Sequence, residues 1–169
     1  MVFLTSPFNH LIILIKFLGD NLLILGGDSD GNRDLSNVEV IKVKTEGHIC
    51  NPFELEYPVS GHSSVATSLG VITCGGWTTN CTLQTIKGET RSFPSMKRSR
   101  YKFGMTVMNQ TLMIVGGWPT YDKMEKISMN GDEWVEEDLP FSVWGHCVVS
   151  INETTAMVIG GSDSDYNVS

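Results

Sequence analysis

The segment Leu112-Met113-Ile114-Val115-Gly116-Gly117 decides the fold, because the chain contains four versions of it. Four consecutive apolar residues rich in Ile, Val and Leu predict a strand that is buried on both faces. The glycine pair then lets the backbone leave the sheet with φ values that other residues resist. The other three versions also end an apolar run, at Gly26-Gly27, Gly75-Gly76 and Gly160-Gly161.

Each glycine pair belongs to a larger repeating unit. A short strand precedes the apolar run and is joined to it by a tight turn, and two further strands follow. Four short strands in a repeat of roughly 40–50 residues are typical of a β-propeller blade. We expect units at residues 9–58, 59–98, 99–142 and 143–169, the last of them truncated before its third and fourth strands.

These units resemble the kelch repeat, in which a Gly-Gly pair is followed by a tyrosine in the third strand and a tryptophan some seven residues later. In the third unit Ile127 and Trp134 have that separation, and in the second Ile86 and Phe93 have it. The first unit has Ile41 at the tyrosine position and no clear aromatic residue at the tryptophan position. The tryptophan therefore matches once, and the tyrosine is replaced throughout.

The resemblance implies an all-β, kelch-type β-propeller of about three and three-quarter four-stranded blades. Closed propellers have roughly 4–8 blades, so we expect an incomplete or open ring. The chain is then either a fragment of a longer protein or an arc that self-associates through its open blade edges.

Kelch domains gather their loops on one face, which implies a non-catalytic protein–protein interaction scaffold that binds a protein or peptide ligand. Aromatic residues and arginine dominate binding hot spots. The candidate partner-binding residues are Trp77, Arg98, Arg100, Tyr101, Trp118, Tyr121 and Trp144. Alternatively, Trp77 and Trp118 pack between blades, and an arginine is structural, since one often opens the first strand of a kelch blade.

Three biological settings remain open from the sequence. The chain is part of an adaptor that presents substrates to a ubiquitin ligase, part of a secreted or cell-surface recognition protein, or part of a propeller enzyme of the galactose oxidase type. The enzyme needs a Tyr-Cys crosslink with histidine ligands, and no such set is recognisable. We therefore predict no catalytic residue, no cofactor and no metal site.

The cysteines and glycosylation motifs bear on the compartment. Cys74 and Cys81 flank one short loop, so adjacent antiparallel strands would bring them within bridging distance; buried thiols are the alternative. Asn-x-Ser/Thr motifs lie at predicted turns or loops and are candidates for N-glycosylation. They begin at Asn80, Asn109, Asn152 and Asn167.

The remaining features concern charge and targeting. A net charge of −7 argues against nucleic-acid binding, although residues 97–102 form a local basic stretch. The apolar run at residues 11–15 has no preceding Lys or Arg and is interrupted by Lys16. It fits neither a signal peptide nor a membrane span, and we expect a core strand there. The compartment stays open between cytoplasm and secretion.

Overall fold

A computed structural model describes residues 14–18, 21–29, 33–42, 47–85 and 89–163 of the chain. Every regular element in these ranges is a β-strand, which confirms the all-β prediction. No helix in this part of the chain is long and apolar enough to cross a membrane. The candidate glycosylation site Asn167 lies outside the described residues, as does Ile86 of the kelch pattern.

The first sheet contains five strands. They are β1 (Leu14–Leu18), β2 (Asn21–Leu25), β3 (Asp28–Ser29), β4 (Arg33–Lys42) and β5 (Gly47–Val59). Four of them pair antiparallel in the order β1-β2-β4-β5, and the short β3 pairs with the start of β4. Register shifts interrupt the β4–β5 pairing. The repeat pattern predicts these strands at residues 38–43 and 53–57, and both begin earlier in the structure.

The second and third sheets are four-stranded antiparallel meanders. The second contains β6 (His62–Ala66), β7 (Val71–Gly75), β8 (Cys81–Gln84) and β9 (Thr90–Phe93). The third contains β10 (Gly104–Met108), β11 (Thr111–Val115), β12 (Lys123–Ser128) and β13 (Val135–Asp138). The described part of the fourth sheet is the hairpin of β14 (Cys147–Ser150) and β15 (Ala156–Ile159).

The first strands of successive sheets lie against one another, β1 against β6, β6 against β10, and β10 against β14. Apolar clusters fill the spaces between consecutive sheets. Leu25 packs with Val59 and Val71, and Val115 packs with Val143 and Val148. Successive meanders that meet along their first strands fit a β-propeller-like blade arrangement.

The glycine pairs form the joints between consecutive sheets. In the first three sheets the second glycine donates its N–H to a carbonyl in the segment that leads into the next sheet. The pairs are Gly27 to Val59 at 2.8 Å, Gly76 to Arg100 at 3.1 Å and Gly117 to Val143 at 2.9 Å. At Gly75, where φ is +80°, an added Cβ would lie 2.4 Å from the Phe103 ring. Glycine is therefore required both by backbone conformation and by the close approach of the next sheet.

The kelch-like pair Ile127 and Trp134 belongs to the core. Both side chains are buried, and the Trp134 indole donates a hydrogen bond to the Pro94 carbonyl at 2.9 Å. This bond ties the third sheet to the end of the second. The repeat pattern predicts the fourth strand of this unit at Trp134-Val135, and in the structure β13 begins at Val135.

Cys74 and Cys81 form a disulfide in the structure. The two residues are directly opposite on β7 and β8, with Cα atoms 4.2 Å apart. The adjacent pair Gly75 and Asn80 is hydrogen-bonded, so the cysteines occupy a non-hydrogen-bonded position, where facing side chains are closest. Cys147, by contrast, is buried and is not part of this bridge.

Candidate functional site

Trp77 marks the candidate site by its backbone. It directly follows the second glycine pair, has a φ of +72°, and donates its N–H to the Arg100 carbonyl at 3.2 Å. A bulky residue in the left-handed region costs of order 1–3 kcal/mol, and such residues concentrate at binding sites. The side chain is nevertheless 55% exposed, so burial of the ring does not offset that cost.

Three aromatic rings meet at this point, and we call Trp77, Tyr101 and Trp118 the aromatic cluster. The rings of Trp77 and Tyr101 stack with centroids 4.5 Å apart and planes inclined by 25°. Trp118 meets Trp77 edge-on at 4.8 Å. Trp77 comes from the second sheet, and the other two residues come from the third. Trp118 is 41% exposed, so the cluster both joins two sheets and faces solvent.

The backbone holds Tyr101 and Trp118 side by side. Each donates its N–H to the carbonyl of the other, at 3.0 and 2.9 Å, which continues the β10–β11 ladder beyond the strand ends. Gly61 makes room for the phenol ring, since an added Cβ there would lie 2.0 Å from it. The repeat pattern points to the aromatic residues but not to Gly61, which lies outside the four glycine pairs.

A fully buried ion pair fixes the backbone that carries the aromatic cluster. The Arg100 and Glu125 side chains are both 0% exposed, with Nη2 and Oε1 3.0 Å apart. Arg100 also donates to the carbonyls of Gly116 at 2.6 Å and Lys123 at 3.0 Å, which fixes the loop that carries Trp118. The other carboxylate oxygen of Glu125 accepts the Lys97 N–H at 2.6 Å.

The prediction that Arg100 contacts a partner is therefore wrong in this structure. Its guanidinium is sealed inside the third sheet, and its donors point to Glu125 and backbone carbonyls. Burial lowers the pKa of the Arg100 guanidinium, and the Glu125 carboxylate opposes that shift. Arg100 positions the aromatic cluster, as the structural alternative for an arginine anticipated.

Arg98 lies at the surface but already has a partner. Its guanidinium makes two hydrogen bonds to the Glu136 carboxylate on β13, one of them 3.1 Å long. The hydrogen bond raises the pKa of Arg98 and lowers the pKa of Glu136. The Glu136 carboxylate therefore compensates most of the positive charge of Arg98 within the chain.

Lys102 is a residue of the site that the sequence analysis did not single out. Its ammonium lies 5.3 Å from the centroid of Tyr101 and 5.7 Å from that of Trp144, within the range of a cation–π contact. The Trp144 indole donates to the Asp163 carbonyl at 3.1 Å. Lys102 thus connects the aromatic cluster to the fourth sheet. The basic stretch of residues 97–102 was the available signal for it.

Tyr121, another predicted contact residue, makes no ring contact with the aromatic cluster among the described residues. Its carbonyl accepts the Val143 N–H at 3.0 Å, so its backbone belongs to the joint between the third and fourth sheets. Nothing in this geometry brings its phenol to the cluster.

Acidic groups of the first sheet act electrostatically on the aromatic cluster. The pKa of Tyr101 is raised, first by burial and then by the charges of Asp28 and Asp34. The aromatic surface therefore experiences both the Lys102 ammonium and these carboxylates. Apolar contact area combined with charged groups suits recognition.

The described residues contain no group of three or more His, Cys, Asp or Glu side chains placed to hold a metal ion. Comparison of the chain with protein-family models and with curated proteins found no match. The geometry of this site is accordingly the basis for the functional proposal.

Proposed function

We propose that the chain is a recognition module of the kelch-type propeller class, without catalytic activity, that binds a protein or peptide partner through the aromatic cluster. The observation that carries the proposal is the exposure of Trp77 and Trp118, at 55% and 41%, in a cluster whose rings contact one another. Side chains of this size are usually far more buried.

Rigidity supports this proposal. The ring of Trp77 is fixed by Tyr101, while the loop that carries Trp118 is fixed by Arg100. Little side-chain entropy remains to be lost on binding, which reduces one of the costs of association. Covering the exposed part of one tryptophan contributes roughly 2 kcal/mol.

The charges around the cluster define the partner further. Because Arg98 and Arg100 are engaged internally, Lys102 is the cation nearest to the rings. We propose a partner segment that places an apolar or aromatic side chain on Trp77 and Trp118 and a carboxylate near Lys102.

The test compares the double variant Trp77→Ala/Trp118→Ala with Leu69→Ala. Leu69 is a matched control because it is 52% exposed and lies in the β6–β7 turn, at the other end of β7 from Trp77. Each protein is crosslinked in an extract of its native source, and captured proteins are quantified by mass spectrometry. We expect the wild type and Leu69→Ala to capture the same set, and the double variant to lose it. Undiminished capture by a folded double variant would refute the proposal.

We further propose the secreted or cell-surface setting rather than the ubiquitin-ligase adaptor, because of the Cys74–Cys81 disulfide. Disulfides persist in oxidising compartments and are rare in the cytosol. Protein isolated from its native source with immediate thiol alkylation should show Cys74 and Cys81 unmodified until reductant is added. Alkylation of both before reduction would place the protein in a reducing compartment.

A further inference from the structure

Two glycosylation motifs occupy the same position in consecutive sheets. Asn109 begins the β10–β11 turn, and Asn152 lies in the β14–β15 turn. Both side chains are exposed, and each asparagine is followed two residues later by threonine. The recognition site described above involves neither turn.

The turn conformations present both side chains to solvent. Asn109 and Gln110 have φ values of +47° and +58°, the pattern of a type I′ turn. At Asn152, the carboxamide oxygen accepts hydrogen bonds from the Thr154 N–H at 2.9 Å and the Thr154 hydroxyl at 3.1 Å. Among the described residues its amide nitrogen, the atom that would carry a sugar, makes no hydrogen bond.

These turns lie at the end of the sheets opposite to the aromatic cluster. Asn109 precedes β11, whereas Trp118 follows it, and a five-residue strand separates its ends by about 13 Å. The contacts of Trp77 with Trp118 and of Lys102 with Trp144 show that the glycine-pair ends of three sheets face the same way. The hairpin turns therefore share the other end.

Asn80 provides an internal contrast. It lies at the same end as the aromatic cluster and is itself exposed. The middle residue of its motif, however, is Cys81 of the disulfide, and Thr82 is only 6% exposed within β8. The threonine of this motif is thus enclosed in the folded structure, unlike the exposed Thr154.

We propose that Asn109 and Asn152 carry N-linked glycans and that Asn80 does not, so that sugar covers the turn end and leaves the aromatic cluster open. The inference rests on the secreted setting proposed above. The donor is an oligosaccharide linked to a polyprenyl diphosphate. The asparagine Nδ2 forms a bond to the anomeric carbon and loses a proton, while the bond from that carbon to the phosphate oxygen breaks and the lipid diphosphate leaves.

The experiment uses protein isolated from the cells that make it. Peptide N-glycosidase in ¹⁸O-labelled water converts a glycosylated asparagine into labelled aspartate, which peptide mass spectrometry locates. We expect labelled aspartate at positions 109 and 152 and unlabelled asparagine at position 80. Absence of the label from positions 109 and 152, or its presence at position 80, would overturn the inference.

Matched variants, expressed in the same cells, test whether the label depends on the glycosylation motif. Thr111→Ala/Thr154→Ala should abolish the label, whereas Thr111→Ser/Thr154→Ser keeps both motifs and should retain it. An unlabelled protein whose disulfide is intact would overturn the glycan inference alone. An unlabelled protein with Cys74 and Cys81 reduced would overturn the secreted setting as well. Capture of a partner by the aromatic cluster is measured in its own experiment and does not depend on the glycan or the disulfide result.

Discussion

The third and fourth sheets begin with the same hairpin but differ in what surrounds it. In the third sheet the pairing runs from Gly104 opposite Val115 to Met108 opposite Thr111. In the fourth sheet the corresponding pairing runs from Cys147 opposite Ile159 to Ser150 opposite Ala156. In the third sheet Ile114 is 0% and Val115 is 4% exposed. In the fourth, the corresponding residues Val158 and Ile159 are 36% and 50% exposed. Equivalent apolar strands thus have opposite environments.

Neighbouring elements account for the difference. β12 pairs along the free side of β11, and Gly117 donates its N–H to the Val143 carbonyl of the next segment. An added Cβ at Gly116 would lie 2.3 Å from that same carbonyl oxygen, whereas Gly160 has no atom within 4 Å of the corresponding point. The apolar run and glycine pair specify a strand, but burial of the strand is supplied by the elements on both sides of it.

The strands β13 and β15 differ in charge, and only β13 has a sequence that suits the edge of a sheet. The outer strand β13 has the sequence Val-Glu-Glu-Asp, and charged side chains protect an edge against association. β15 has the sequence Ala-Met-Val-Ile, without a charge. Its sequence is that of a central strand, although in the described residues it pairs only with β14.

The largest effect should come from the ion pair that the third sheet has and the fourth lacks. In the fourth sheet Val143 occupies the position of Arg100, as its carbonyl accepts the corresponding glycine N–H. Arg100→Met would leave the Glu125 carboxylate buried and unpaired, which costs about 3–5 kcal/mol. Denaturant titration monitored by tryptophan fluorescence should show this loss of unfolding free energy.

Two variants check the origin of that loss. Arg98→Met removes an exposed pair with Glu136 and should cost far less than Arg100→Met, because solvent screens the exposed pair. Arg100→Met/Glu125→Leu removes both buried charges and should recover most of the stability. Equal losses from Arg98→Met and Arg100→Met would show that burial does not distinguish the two arginines.

The second effect concerns the residue that precedes each first strand, which is Phe103 in the third sheet and His146 in the fourth. His146 is 6% exposed, and burial lowers its pKa from 6.5 to about 4. The nearby Val115 carbonyl favours the protonated form only in part, and neither ring nitrogen has a partner at hydrogen-bonding geometry among the described residues. His62, the first residue of β6, also has a pKa lowered to about 4 by burial.

Acid should therefore destabilise the protein through these histidines. Between pH 6.5 and pH 4 the unfolded chain binds protons that the folded chain does not, so stability is present above pH 6.5 and is lost as the pH falls towards 4. For His146 the full loss is roughly 3 kcal/mol. His146→Phe, which introduces the residue type of Phe103, and His146→Gln should both flatten this part of the pH profile. A profile as steep as that of the wild type in both variants would contradict the assignment.

The sequence predicted β11 and β15 almost to the residue, because the apolar run and the glycine pair are local signals. It did not predict the length of β5, which depends on pairing with β4 through register shifts. The repeat pattern predicts the third strand of the second sheet at residues 83–86, whereas it lies at Cys81–Gln84, where Cys81 faces Cys74. The local pattern predicts that a strand exists, and the strand with which it pairs determines where it begins and ends.

The candidate site was predicted in composition but not in roles. Arg98 and Arg100 are the same residue type two positions apart, and only the acid that each one meets, Glu136 on β13 or Glu125 on β12, decides which is exposed. The stacking of Trp77 on Tyr101 depends on how two sheets join, which no local pattern encodes.

The smallest effect provides the most direct test of the comparison. Val115 and Ile159 both precede the glycine pair, but Val115 is 4% exposed and Ile159 is 50% exposed. Val115→Thr places a hydroxyl among Val143 and Val148 and should cost about 1–2 kcal/mol. Ile159→Thr should change the unfolding free energy by less than about 0.5 kcal/mol.

Denaturant titrations of both variants at several protein concentrations, with the mass followed by light scattering, decide between two accounts of β15. A cost near zero for Ile159→Thr in a monomer means that the strand faces water as the structure shows. A cost as large as that of Val115→Thr, growing with protein concentration, would mean that a second molecule covers β15. In that case β11 and β15 would have the same environment in solution. They would differ only in whether the covering residues belong to the same chain or to a second molecule.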